Sequence, residues 1–240
     1  MKSSDHERNR TRVRSPQVKI CGLTRVEEAL ACVELGAHAI GCVFYSRSPR
    51  SLTEEQARDI CRHLPAHVWT VGVLVDENFS NIMKKVERCG LRAVQLHGRE
   101  SPETVGRLVK ERVMVIKGVY LNGTPSAEAA ARYGASAYLV ECGGGAMPGG
   151  NALGWNWAEA APLGETLPLI LAGGLTADNV TRAIQAASPD AVDVSSGVEA
   201  APGRKDMDKV KRFLEAVSRT CGSREPKRIF PPRSTVHDPA

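Results

Sequence analysis

"KICGLTRVEEALACVELGAHAIGCV", residues Lys19 to Val43, and "ILAGGLTADNVTRAIQAASPDAVDV", residues Ile170 to Val194, follow one plan. Each opens on a short apolar run, turns through Gly-Leu-Thr, continues with apolar residues at helical spacing and ends on a second apolar run. In the first copy Val26, Ala29, Leu30 and Val33 recur at i, i+3, i+4 and i+7, the stripe of a helix with one buried face. Short strands apolar on both faces, alternating with helices, are the units of a parallel sheet covered by helices.

The same rhythm runs outward from these copies. "AIGCVF" precedes "TEEQARDICRHL", whose Thr53 and Gln56 have capping-box spacing. "VWTVGVLV" leads to Asp76 and a helix that Ser80 is placed to cap, running to Cys89. "AVQLHG" precedes "SPETVGRLVKE", with Pro102 at the first helical position. "VMVIKGV" leads into a helix from Pro125 to Tyr133, "AYLVE" into a long glycine loop and a short helix near Trp157, and "DAVDVS" into a last helix from Asp206 to Val217. Repetition of strand and helix through eight units predicts an α/β fold, a single (β/α)8 TIM barrel rather than a doubly wound sheet. The barrel is expected over residues 17–218, with disordered basic tails at 1–16 and 219–240.

The net charge of +5 belongs to those tails. Residues 1–17 hold five Lys or Arg against two acids, residues 219–240 hold five against two, and the rest of the chain is −1. A basic balance confined to tails does not call for a nucleic-acid partner. No apolar run approaches the roughly 20 residues of a membrane span, and the N-terminal stretch lacks the apolar centre of a secretory signal. The expectation is a cytoplasmic protein with no membrane partner. Seven cysteines form no C-x-x-C pair and have no nearby histidine at ligand spacing, so no metal site is expected, and their odd count without a signal peptide argues for reduced thiols and against a disulfide scaffold.

A barrel places its site at the C-terminal ends of its strands. There the sequence gathers Cys21 through Thr24, Tyr45 through Arg50, Asp76, His97-Gly98, Glu141, Gly173-Gly174 and Ser195-Ser196-Gly197. The last two groups, "AGGLT" and "SSGVE", offer backbone N–H groups, two hydroxyls and a helix start, which suit a phosphate dianion. In barrels, phosphate commonly sits between the loops after strands seven and eight.

"VKICGLT", "FYSRSPRSL", "VGVLVD", "VQLHG", "ILAGGL" and "DVSSGVE", in this order, resemble the phosphoribosylanthranilate isomerases of tryptophan biosynthesis. The resemblance spans Val18 to Phe213. It implies a ribulose-phosphate-binding barrel and a cofactor-free Amadori rearrangement of a small phosphosugar, N-(5-phosphoribosyl)anthranilate, to 1-(2-carboxyphenylamino)-1-deoxyribulose 5-phosphate. One acid must open the sugar ring and one base must take the proton from C2. The family's base falls on Cys21 and its carboxylate-binding arginine on Arg50, with the neighbouring Arg47 as local competitor. Phosphate recognition falls on Gly173, Gly174, Ser195, Ser196 and Gly197. His97, Asp193 and Asp76 lie at strand ends, either touching substrate or bracing loops. The resemblance leaves the chain a monomer or a homodimer.

The sequence departs from the family after strand six. Glu141 stands where an aspartate usually serves as general acid, and "GGNALGWNW" from Gly149 to Trp157 replaces G-G-T-G-K-T-F-D-W. A dry wall made by Trp155 or Trp157 is the expected means of keeping Glu141 protonated, and the glycine loop is expected to close over the substrate as a lid. Alternatives are another phosphosugar isomerase or epimerase, and a non-catalytic barrel that binds sugar phosphates.

Overall fold

A computed structural model describes residues 14–143 and 155–232. All eight expected strands are present: β1 Gln17–Cys21, β2 Ala39–Val43, β3 Trp69–Leu74, β4 Ala93–Leu96, β5 Met114–Tyr120, β6 Ala137–Glu141, β7 Leu169–Leu171 and β8 Ala191–Val194. They pair in parallel in chain order, and β8 returns to β1 with Lys19 opposite Asp193, closing the barrel. The helices are α1 Val26–Glu34, α2 Glu54–His63, α3 Phe79–Cys89, α4 Pro102–Lys110, α5 Ala161–Thr166, α6 Val180–Ala187 and α7 Met207–Ser218. A small hairpin, β9 Glu199–Ala201 with β10 Arg204–Lys205, follows β8.

Side-chain chemistry starts several of these helices. Thr53 and Gln56 form the full capping box on α2. Ser101 caps α4 with Pro102 in its first turn. The cap of α3 is Asn78, which accepts from Asn81 N at 2.9 Å, while Ser80 lies inside the helix. The segment before β6 is a 3-10 helix, Ala127–Tyr133, capped by Ser126.

Successive residues of a strand face opposite sides. Val18 and Ile20 join the large core between strands and helices, whereas Gln17, Lys19 and Cys21 belong to the barrel interior. Ala39, Val71, Ala93, Ile116, Ala137, Ile170 and Ala191 fill the interior below the site. Small residues dominate this layer, and the chain supplies the missing volume from elsewhere.

That volume comes from residues expected to be a disordered tail. Segment 219–232 folds back beneath the barrel, where Ile229 and Phe230 are buried among the interior residues of the strands. Gln17 Nε2 donates to Phe230 O at 2.7 Å, and Phe230 N donates to Gln17 Oε1 at 2.8 Å. The Trp69 indole N–H donates to Pro231 O at 2.8 Å. Asp190, fully buried, accepts from Leu169 N, Arg224 Nη1 and Lys227 N, tying the start of β7 to the segment. Composition hides this anchoring because two apolar residues do the packing and their partners lie on β1 and β3. The boundary at residue 218 is therefore moved to at least 232; the expected tails at 1–13 and 233–240 lie outside the described residues. Phe230→Ala is expected to cost about 3 kcal/mol of stability, the range for removing a buried aromatic. Urea unfolding measures it, and because the site lies at the opposite end, turnover of the folded variant should remain at the wild-type level.

Candidate active site

A cavity of about 790 Å³, counting its mouth, opens at the C-terminal ends of the strands. Cys21, Arg50, His97, Glu141, Asp193 and the two glycine-serine loops all line it. Cys21 comes from β1 and Glu141 from β6, with β7 and β8 between them around the ring.

The phosphate end is built by two loops pressed together. Gly173 and Gly174 take positive φ angles of 87° and 64°, conformations open to glycine at little cost. Gly197 lies so close to Leu175 O that any Cβ there would collide with the backbone. Asn179 holds the first loop by donating to Gly174 O and accepting from Thr176 N, each at 2.8 Å. Lys205 Nζ steadies the second by donating to Ser195 O at 3.1 Å. Ser195 Oγ is buried without a hydrogen-bond partner among the described residues, a free donor beside these backbone groups.

Arg50 is buried and its fork is already engaged. Nε donates to Glu199 Oε1 at 2.8 Å and Nη2 to Glu199 Oε2 at 2.7 Å. Lys205 Nζ donates to Glu199 Oε1 at 2.9 Å, so one carboxylate serves two cations. Two of the three Arg50 guanidinium nitrogens are thus bonded to Glu199, and the side chain lines the cavity. Arg47 is exposed and does not line the cavity.

At the β4 and β6 side, His97 is ordered by its ring contacts. Gln95 Nε2 lies 2.8 Å from His97 Nδ1, and Tyr120 meets the imidazole edge-on at 5.9 Å between centroids. With the Gln95 amide donating, a neutral ring carries its proton on Nε2, which is buried, has no hydrogen-bond partner among the described residues and lies 3.8 Å from Glu141 Oε2. That distance exceeds a hydrogen bond, so the two groups face a shared space. Asp76 is elsewhere: its Oδ1 accepts from Arg99 N at 2.6 Å, bracing the loop after β4.

At β1, Lys19 Nζ donates to Asp193 Oδ1 at 2.8 Å inside the barrel. Burial pushes the Cys21 thiol above its ordinary pKa, and the positive charge of Lys19 opposes that rise. Cys142, the other thiol near these loops, does not line the cavity.

Trp155 and Trp157 do not form the expected wall. Their indole N–H groups donate to Ala172 O at 3.0 Å and Gly173 O at 3.4 Å, which fastens the chain after the glycine loop to the end of β7. Residues 144–154, on which the lid expectation rests, lie outside the described residues. Among the described residues no cluster of His, Cys, Asp or Glu is arranged to hold a metal, and no helix is long and apolar enough to cross a membrane.

Lys19, Glu199, Lys205 and Asn179 are site residues absent from the sequence reading. Lys19 was within reach of a parity argument, since it stands two residues before Cys21 and shares its face. Glu199 closes the quoted "DVSSGVE", yet only the fold brings it to Arg50.

Comparison with known proteins points one way. Residues 18–216 match the family described as N-(5'-phosphoribosyl)anthranilate (PRA) isomerase. The N-(5'-phosphoribosyl)anthranilate isomerase of Desulfatibacillum aliphaticivorans is 50% identical over 214 residues, covering 89% of this chain and 98% of the relative. The crystal structure of the Thermotoga maritima phosphoribosyl anthranilate isomerase superposes with a TM-score of 0.78 at 41% identity, covering 84% of this chain and 98% of that one. A phosphoribosyl anthranilate isomerase solved with reduced 1-(o-carboxyphenylamino)-1-deoxyribulose 5-phosphate gives 0.75 at 40% identity, with 84% and 98% covered.

Proposed function

The chain belongs to the N-(5'-phosphoribosyl)anthranilate isomerase family, and from that premise we infer that it isomerises N-(5-phosphoribosyl)anthranilate to 1-(2-carboxyphenylamino)-1-deoxyribulose 5-phosphate in tryptophan biosynthesis. The observation that supports the assignment of residues is that the Cys21 thiol and the Glu141 carboxyl line a single cavity that also holds the glycine-serine loops proposed to bind phosphate.

The phosphate rests on the Gly173-Gly174 turn and on Ser195, Ser196 and Gly197. Arg50, held by Glu199, turns Nη1 toward the anthranilate carboxylate, a charge-assisted contact. With both ends fixed, Glu141 protonates the ribose ring oxygen, the C1–O bond breaks and an iminium forms between C1 and the anthranilate nitrogen. The Cys21 thiolate then takes the proton from C2, and the electrons of that C–H bond flow toward the iminium to give an enolamine. Protonation at C1 and loss of the C2 hydroxyl proton yield the ketone. His97 Nε2 faces the same space as Glu141 and donates to the sugar or to that carboxylate as the ring opens. Asp193 acts through Lys19.

The test is consumption of fluorescent phosphoribosylanthranilate by the purified protein, coupled to the next enzyme of the pathway. Steady loss of fluorescence is expected. Correctly folded protein with no turnover would sink the assignment.

A further inference from the structure

We infer that Lys19 is a positioning residue for Cys21: its buried ammonium, anchored by Asp193, holds the sulfur and favours its thiolate for proton abstraction. The inference rests on the reading of Cys21 as the base.

Lys19 and Cys21 are separated by one residue on β1, so both side chains enter the barrel, Lys19 one layer beneath the thiol. A Cβ added at Gly41 of β2 would lie 2.8 Å from Cys21 Sγ and 3.1 Å from Lys19 Nζ, so the two atoms meet around one small vacant point. Lys19 is fully buried. Interior positions of such barrels are dominated by branched apolar residues, and a buried ammonium carries a desolvation cost of several kcal/mol that a single ion pair offsets only with good geometry. Methionine would fill the same volume without that cost. Asp193, opposite Lys19 on β8, gives the good geometry at 2.8 Å and keeps the ammonium charged.

The other charges facing Cys21 leave Lys19 as the decisive one. Arg50, from the loop after β2, and Lys205, from β10, share Glu199 as their counterion. Asp193 acts in the opposite sense, disfavouring the thiolate. Val43, Val73 and Tyr45 pack the remaining sides with apolar surface. In the step itself the C2–H bond breaks, the S–H bond forms and the electron pair moves into the substrate. Lys19 remains protonated throughout and transfers nothing.

The experiment is alkylation of Cys21 by iodoacetamide as a function of pH, followed by mass spectrometry of its peptide, with Cys142 as the internal reference. Lys19→Met is expected to slow Cys21 alkylation at pH 7.5 by about tenfold, the consequence of a one-unit rise in thiol pKa, and to leave Cys142 unchanged. Should Lys19→Met not fold, the double variant Lys19→Met/Asp193→Asn, which leaves no unpaired buried charge, takes its place with a smaller slowing expected, because the opposing charge of Asp193 goes with the ammonium. A wild-type rate of Cys21 alkylation in the folded Lys19→Met protein, or in the double variant where it alone folds, overturns the inference. Turnover surviving in Cys21→Ala would refute the base assignment instead, and would leave the alkylation result standing.

Discussion

Cys21→Ala is expected to lower kcat by about 10²–10⁴-fold, the share that a positioned acid or base contributes, while a non-reacting analogue of the product still binds. Among the described residues lining the cavity, the other candidate on this side, the Asp193 carboxylate, is already paired with Lys19. His97 and Glu141 lie toward β4 and β6, on the other side of the sugar. Removing one sulfur leaves the phosphate loops and Arg50 untouched, so binding should survive the loss of chemistry. The wild type should also show kcat/KM rising with pH above neutrality. The sign follows from burial, which raises the thiol pKa, so the thiolate is a minority species near pH 7 and grows as pH increases. Near-normal turnover of Cys21→Ala, or a flat pH profile in the wild type, would contradict the role.

Glu141→Gln should stop the reaction one step earlier, before ring opening. Glutamine matches the size of the acid and keeps a polar tip but has no proton to give to the ring oxygen, so a loss of about 10²–10⁴-fold in kcat is expected. Glu141→Asp keeps the proton and gives up one methylene of reach. It should retain clearly more activity than the glutamine variant, since β6 and the Trp155 and Trp157 anchors on β7 hold the two ends of the loop. Single-turnover measurement of substrate fluorescence separates the two cases. Equal losses in both variants would mean that the position matters for packing and not for proton transfer.

The barrel was readable because its information is local and repeated. Period-two and helical patterns, the Thr53 box, Pro102 and the Gly-Leu-Thr turns each speak within a few residues, and eight repetitions average out local errors. At the helix starts the reading missed only by small shifts: Asn78 caps α3 two residues before Ser80, because either short polar side chain serves a helix start. The site was readable as a set of strand ends and not as a network. Nothing near Arg50 in the chain announces Glu199, 149 residues away, as the owner of its fork. Nothing near Phe230 announces Gln17. Lys19 lay between, visible to anyone applying strand parity, and hidden because a lysine inside a barrel violates the apolar pattern that reveals the strand.

The mutual hydrogen bonds of Gln17 and Phe230 join residues 213 apart in sequence. Contacts of such long range form late in folding, because the entropy of closing so large a loop must first be overcome. The floor beneath the barrel therefore stays open during synthesis until residues 229–231 have been made. A nascent chain halted at 218 would have every strand and helix of the barrel and still lack its floor.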